Sequence, residues 1–193
     1  GLAGSRYSDD APEPIWMHKQ AHDGWIRRTS LSPDETELAT CGTDAAVHTW
    51  SVADGAALRT FEHKHDVAVV AYHPTESALV AGTSRGEVVA WSLESGEELR
   101  RFDAAPLYLE HRLQEVGGVR SIAISGDGQL LVVGGTVPKN GGNVQGVPTL
   151  LFFDWSTGEL RRTVEVGGAS DVYPTDLAFH ADGFLIATVI GNP

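Results

Sequence analysis

His22–Phe61, HDGWIRRTSLSPDETELATCGTDAAVHTWSVADGAALRTF, holds four short apolar runs: Trp25–Leu31, Glu37–Thr40, Val47–Trp50 and Ala57–Phe61. Turn-forming residues separate them, Ser32-Pro33-Asp34, Gly42-Thr43-Asp44 and Ala53-Asp54-Gly55. Proline presets φ, Asp closes a turn onto its own backbone, and Gly accepts a positive φ. Four strands joined by such turns predict an antiparallel meander.

The stretch recurs. Pro33 returns as Pro74, Trp50 as Trp91 and Gly55 as Gly96, each 41 residues on. A four-stranded unit with a period of about 40 residues is a propeller blade. On these residues the chain resembles the WD40 repeat family, of the divergent kind common in bacteria. The resemblance implies an all-β fold, a WD40-type β-propeller of about 3.5 four-stranded antiparallel blades. It also implies an arc or fragment of a seven-bladed ring, since seven blades need about 300 residues.

Residues 1–14 read as a linker or disordered tail, polar and without an apolar core. Residues 15–21 read as an orphan outer strand; in the family such a strand completes the last blade. Blade 1 is expected at 22–62 and blade 2 at 63–102. Blade 3, with insertions, is expected at 103–166, and a partial blade 4 at 167–193. In blade 3 Phe153 takes the place of Trp50 and Trp91, 62 residues after Trp91. Two expected core columns are Leu31, Tyr72, Ile124, Phe179 and Thr29, Val70, Ile122, Leu177; second strands add Leu38, Leu79, Leu131 and Ile186.

The family's internal signature is a hydrogen-bonded His, Ser/Thr, Asp and Trp tetrad. Its chemistry is general: a buried indole N–H needs an acceptor and a buried Asp needs donors. The resemblance assigns a structural tetrad to His22, Thr40, Asp44 and Trp50. Blade 2 matches it only at His65 and Trp91, with Ala81 and Arg85 in the other places. Blade 3 has Val133 and Phe153; blade 4 offers Thr188 and Asn192.

Composition narrows the function. With 14 Lys+Arg against 26 Asp+Glu the net charge is −12, which argues against nucleic acid and anionic membranes. Cys41 is the single cysteine, so no intrachain disulfide forms. No apolar run approaches a membrane span. The compartment is open, with cytoplasm slightly favoured.

In an up-and-down meander, loops after strands two and four share one face. The insertions 103–118 (DAAPLYLEHRLQEVGG) and 136–148 (TVPKNGGNVQGVP) both fall there, as binding loops of repeat proteins do. Pro106, Leu109 and Leu113 predict a short helix in the first; the Gly- and Asn-rich second reads as mobile or turn-bound. Trp25, Tyr108, His111, Arg112, Asn140, Asn143 and Gln145 are the candidate partner-binding residues. The insertions equally suit a role in covering each other and the blade edge. His73 and His180, beside turns, read as surface residues. No phosphate loop, haem motif or nucleophile elbow occurs, and inner-strand positions show no ring of carboxylates or histidines.

The expectation is a non-enzymatic protein–protein interaction scaffold with no cofactor, no metal and a protein partner. Alternatives are a small-ligand or metal-binding propeller, and a structural accessory domain of a larger protein. Open blade edges at Ile15–Lys19 and Phe184–Val189 predict self-association.

Overall fold

The computed structural model describes residues 1–5, 13–111, 114–138, 146–168 and 173–191, with backbone alone for 4–5, 111 and 114–116. Strands β1 (Leu2–Ser5) and β2 (Pro14–His18) pair as a two-stranded sheet. Blade 1 is β3 (Ile26–Leu31), β4 (Glu37–Gly42), β5 (Ala46–Ser51) and β6 (Ala57–Glu62). Blade 2 is β7 (Val67–Tyr72), β8 (Ala78–Thr83), β9 (Glu87–Ser92) and β10 (Glu98–Asp103). A 3-10 turn at Ala105–Leu107 leads to the hairpin β11 (Tyr108–His111) and β12 (Gln114–Gly117). Blade 3 is β13 (Val119–Ile124), β14 (Leu130–Pro138), β15 (Gly146–Asp154) and β16 (Leu160–Glu165). Then β17 (Pro174–Phe179) pairs with β18 (Leu185–Val189). Every pairing is antiparallel between sequential strands, the topology of an all-β arc of propeller blades.

Two expectations about segments change. Leu2–Ser5, within the stretch read as a tail, is a strand, and Leu2 is buried with Ala21 and Trp50. The 15–21 strand is therefore half of a hairpin and not an orphan. Trp16 Nε1 donates to Val52 O (2.9 Å), and His18 Nε2 lies 2.6 Å from Gly55 O. These bonds anchor the hairpin to blade 1.

The turns between first and second strands are closed by side chains. Asp34 Oδ1 accepts from Ser32 Oγ and Thr36 N, and Asp127 Oδ1 accepts from Ser125 Oγ and Gln129 N. His73 does the same work in blade 2: its Nδ1 accepts from Glu76 N (2.9 Å), and its Nε2–H donates to Gly128 O of blade 3 (2.9 Å). His73 is thus a buried stitch between blades, not the surface residue expected; His180 is exposed.

Packing runs blade to blade. Blade 2 presents Val70, Tyr72, Leu79 and Ala81 to Ala39, Cys41, Val47 and Phe61 of blade 1. Blades 2 and 3 share the largest cluster, including Phe102, Leu107, Leu131, Phe153 and Trp155. Leu177 packs on Ala123, Val132 and Leu150. The expected columns therefore face the preceding blade. Leu31 and Thr29, on the face that only the N-terminal hairpin approaches, are exposed, Leu31 at 46%. Ile186 is also exposed. The pairing Phe179↔Leu185 makes Leu185 the counterpart of Leu79 and Leu131. The turn in this last hairpin is one residue shorter than its counterparts, and a one-residue slip moves a side chain to the other face.

Candidate interaction face

At one end of blade 1, four side chains form a chain of hydrogen bonds. Trp50 Nε1 donates to Thr40 Oγ1 (2.9 Å), which lies 2.7 Å from His22 Nε2; His22 Nδ1 lies 2.9 Å from Asp44 Oδ1. An indole N–H can only donate, so Thr40 accepts from it and directs its own proton to His22 Nε2. His22 then carries its ring proton on Nδ1 and donates to Asp44. Burial opposes the Asp44 charge, yet hydrogen bonds from His22 and from the Asp23 N–H outweigh it and hold its pKa below the ordinary carboxylate value.

In blade 2 the equivalent of His22 is His63, not His65. The bond Thr43 N→Trp25 O recurs as Ser84 N→Asp66 O, an offset of 41 that carries 22 to 63. His65, followed by Asp66 as His22 is by Asp23, lies two residues beyond the equivalent position. His63 stands edge-on to Trp91 (5.7 Å), but Ala81 replaces the bridging hydroxyl. His63 Nε2 and Trp91 Nε1 are consequently buried without a hydrogen-bond partner. In blade 3, Val133 and Phe153 fill the same space as core. Thr188 is exposed, and Asn192 lies outside the described residues.

In the first insertion the helix expected at Pro106 is a single 3-10 turn, Ala105–Leu107, that does not extend to Leu109. After the 3-10 turn, Tyr108–His111 and Gln114–Gly117 form a hairpin, and Leu107, fully buried, plugs it onto Gly135 of β14. In the second insertion, β14 and β15 simply extend, pairing Thr136↔Pro148, Val137↔Val147 and Pro138↔Gly146. The two insertions lie side by side. Gly117 and Gly118 have φ of 95° and 96°; a Cβ on them would strike Leu107 O and Ser84 O respectively.

Among the candidate partner-binding residues, Trp25 is the most exposed aromatic side chain described, at 76%, and its backbone N–H donates to Thr43 Oγ1 (2.9 Å). Tyr108 is half-buried. The His111 side chain, Arg112, Asn140, Asn143 and Gln145 lie outside the described residues.

The sequence puts Arg27, Arg28 and Arg120 on innermost strands, but only the structure shows them as one cluster. Each innermost strand carries a bulge after its first residue: between Ile26 and Arg28, Val67 and Val69, Val119 and Ser121, Pro174 and Asp176. The unpaired residues are Arg27, Ala68, Arg120 and Thr175, and bulges re-aim side chains. All four line one cleft of about 260 Å³, with Arg28, Asp66, Ser84 and Tyr173. Arg28 Nη2 donates to Thr175 O (2.8 Å) across it, and the Arg120 guanidinium lies 5.2 Å from the Tyr173 ring centroid. Arg27 lies 5.9 Å from the Trp25 ring. Arg59, Arg101 and Arg161 are ion-paired with Glu37, Glu98 and Asp154, whereas Arg27, Arg28 and Arg120 have no carboxylate in ion-pair range among the described residues. Exposed guanidinium forks of this kind match carboxylate or phosphate oxygens. The signal was present in the sequence as arginine at the second position of two inner strands.

Four-stranded antiparallel blades stacked face to face, one of them laced by His, Thr, Asp and Trp, define the class: a WD40-type β-propeller fold. Comparison with known proteins agrees. Residues 15–51 match the family described as WD domain, G-beta repeat. The chain is 37% identical over 118 residues to the target of rapamycin complex subunit wat1 of Schizosaccharomyces pombe, covering 61% of this chain and 35% of that protein. It is 27% identical over 129 residues to a WD repeat-containing protein WDS homolog of Arabidopsis thaliana (64% and 23%). It is 31% identical over 74 residues to the small ribosomal subunit protein RACK1z of the same plant (38% and 22%). The chain thus spans about a third or less of the length of these relatives. All three are eukaryotic, so the bacterial character expected from the sequence finds no support in them.

Proposed function

We propose that this chain is a non-enzymatic protein-interaction scaffold whose loop-bearing face receives an acidic segment of a protein partner at the arginine-lined cleft. The observation that carries this reading is the concentration of Arg27, Arg28 and Arg120 at one mouth of a chain whose net charge is −12. Among the described residues, three guanidinium groups share the cleft with a single carboxylate, Asp66, and the positive charge left over favours a ligand of opposite sign. Trp25, its ring 5.9 Å from the Arg27 guanidinium, supplies an aromatic anchor beside it. Similarity to WD-repeat proteins supports the scaffold class. The overall negative charge disfavours extended polyanions such as nucleic acid, which the whole surface repels.

Fluorescence anisotropy with a labelled hexaglutamate peptide tests the reading. Binding is expected at low salt, weakened about tenfold or more in Arg27→Ala/Arg120→Ala. A lysine peptide and a single-stranded oligonucleotide serve as controls. Equal binding of hexaglutamate by the double variant, or tighter binding of the oligonucleotide, would reject the assignment.

A further inference from the structure

We propose that His22, Asp44 and His48 form a site for a divalent transition-metal cation of the zinc class at the loop end of blade 1. His22 Nδ1 lies 2.9 and 3.0 Å from the two Asp44 oxygens, and His48 Nε2 lies 3.9 Å from Asp44 Oδ2. One ligand atom from each residue falls within 4.8 Å of the other two. Ligands about 2.0–2.1 Å from a tetrahedral zinc stand roughly 3.3 Å apart, so small side-chain adjustments close the site.

The hydrogen-bonded tetrad accounts for His22 and Asp44 but has no use for His48. The His48 ring is nevertheless oriented: Nδ1 lies 2.9 Å from Thr60 Oγ1, which turns Nε2 toward Asp44. His22 is likewise held from behind by Thr40 Oγ1 at 2.7 Å. Two imidazoles, each fixed through its far nitrogen and converging on one carboxylate, reproduce the arrangement that orients metal-bound histidines.

Proton bookkeeping permits the exchange. With metal on His22 Nδ1, the ring proton moves to Nε2 and donates to Thr40 Oγ1. The Thr40 hydroxyl turns to the His48 carbonyl oxygen, 3.5 Å away. Thr40 Oγ1 still accepts from Trp50, so its two lone pairs are used and its proton is placed. The tautomer changes and no proton is released. Asp44 neutralises one of the two positive charges. Solvent reaches the site through partly exposed Asp44 and His48, leaving a fourth position for water. The ion would tie the turn after β4 to β5 and to the segment before β3.

The test uses chelator-stripped chain titrated with zinc chloride at neutral pH, followed by calorimetry and thermal unfolding. One-to-one binding and a rise in melting temperature of several degrees, reversed by a chelator, are expected. His48→Ala and His48→Gln, each measured against its own metal-free melting temperature, lose the rise. Cobalt(II) gives the visible bands of a tetrahedral site in the wild type alone. No response in the wild type, or the same response in both His48 variants, overturns the site. Arg27→Ala/Arg120→Ala leaves the response intact, which keeps this result separate from the acidic-peptide test.

Discussion

Thr40 Oγ1 accepts a hydrogen bond from Trp50 and donates one to His22, while Ala81 at the matching place in blade 2 leaves His63 and Trp91 facing each other unbridged. Leaving a buried donor or acceptor without a partner costs about 1–3 kcal/mol. Thr40→Ala should therefore lower stability by about that much in urea unfolding. Ala81→Ser should raise it by about 1 kcal/mol, because one hydroxyl answers both orphaned atoms. A neutral or destabilising Ala81→Ser would show that water already fills the gap. His63 also sets a pH dependence. Burial is the main cause that brings its pKa down from 6.5 to about 4, against the raising pull of Glu87. The unfolded chain then binds a proton near pH 6.5 that the fold refuses until about pH 4. The full stability is present above pH 6.5 and falls as pH drops to about 4, by up to roughly 3 kcal/mol. The measurement is the difference in pH slope between wild type and His63→Gln, which cancels the carboxylates titrating in the same range. The partners of His22 were legible because residue types and spacing coincide in blade 1. His63 was not, because His65-Asp66 imitates His22-Asp23 two residues away, and only backbone hydrogen bonds distinguish the two frames.

At the level of elements, the strands were readable wherever turn residues bracket an apolar run, and the insertion 103–118 was not. Pro106 does sit in a helical turn, Ala105–Leu107, but the chain leaves it after one turn and pairs Tyr108–His111 with Gln114–Gly117. The segment becomes a hairpin because Gly117 and Gly118 take left-handed conformations and let the backbone settle onto Leu107 O and Ser84 O. Gly118→Ala should lose about 1–3 kcal/mol from backbone strain alone, and more from the collision with Ser84 O. Amide exchange should report it as faster exchange in β11 and β12 than in blade 1. Uniform exchange across the chain would mean that the hairpin is not held by this contact. The shortened turn before β18 is the other local feature that pattern reading overlooked. One residue fewer was enough to exchange Leu185 for Ile186 as the inward side chain.

At the scale of the described blades, stability comes from blade-to-blade burial, and the faces that no described blade covers differ from the interior. Leu31 at one end and Phe184, Ile186 and Ile190 at the other are large apolar side chains open to solvent, and β18 lacks an outer neighbour among the described strands. Such surfaces and edges favour association. Sedimentation velocity should show concentration-dependent self-association of the 193-residue chain, and Leu31→Lys/Ile186→Lys should suppress it. An association state unchanged in that variant would exclude these faces as the cause. The repeat period made the blade count legible; the charge pattern at the mouth was hidden, because its arginines come from distant repeats and meet only after the blades stack.

Arg27, Ala68, Arg120 and Thr175 contribute no rung to the ladders that hold their strands. Their backbones are thereby freed from the ladder, although Thr175 Oγ1 still bonds Thr188 Oγ1 on the paired strand (2.7 Å) and Arg120 Nη2 donates to Gly117 O. This quartet behaves as an editable alphabet, one letter per vane. A letter changed there alters the cleft at less cost to the scaffold than one inside a ladder.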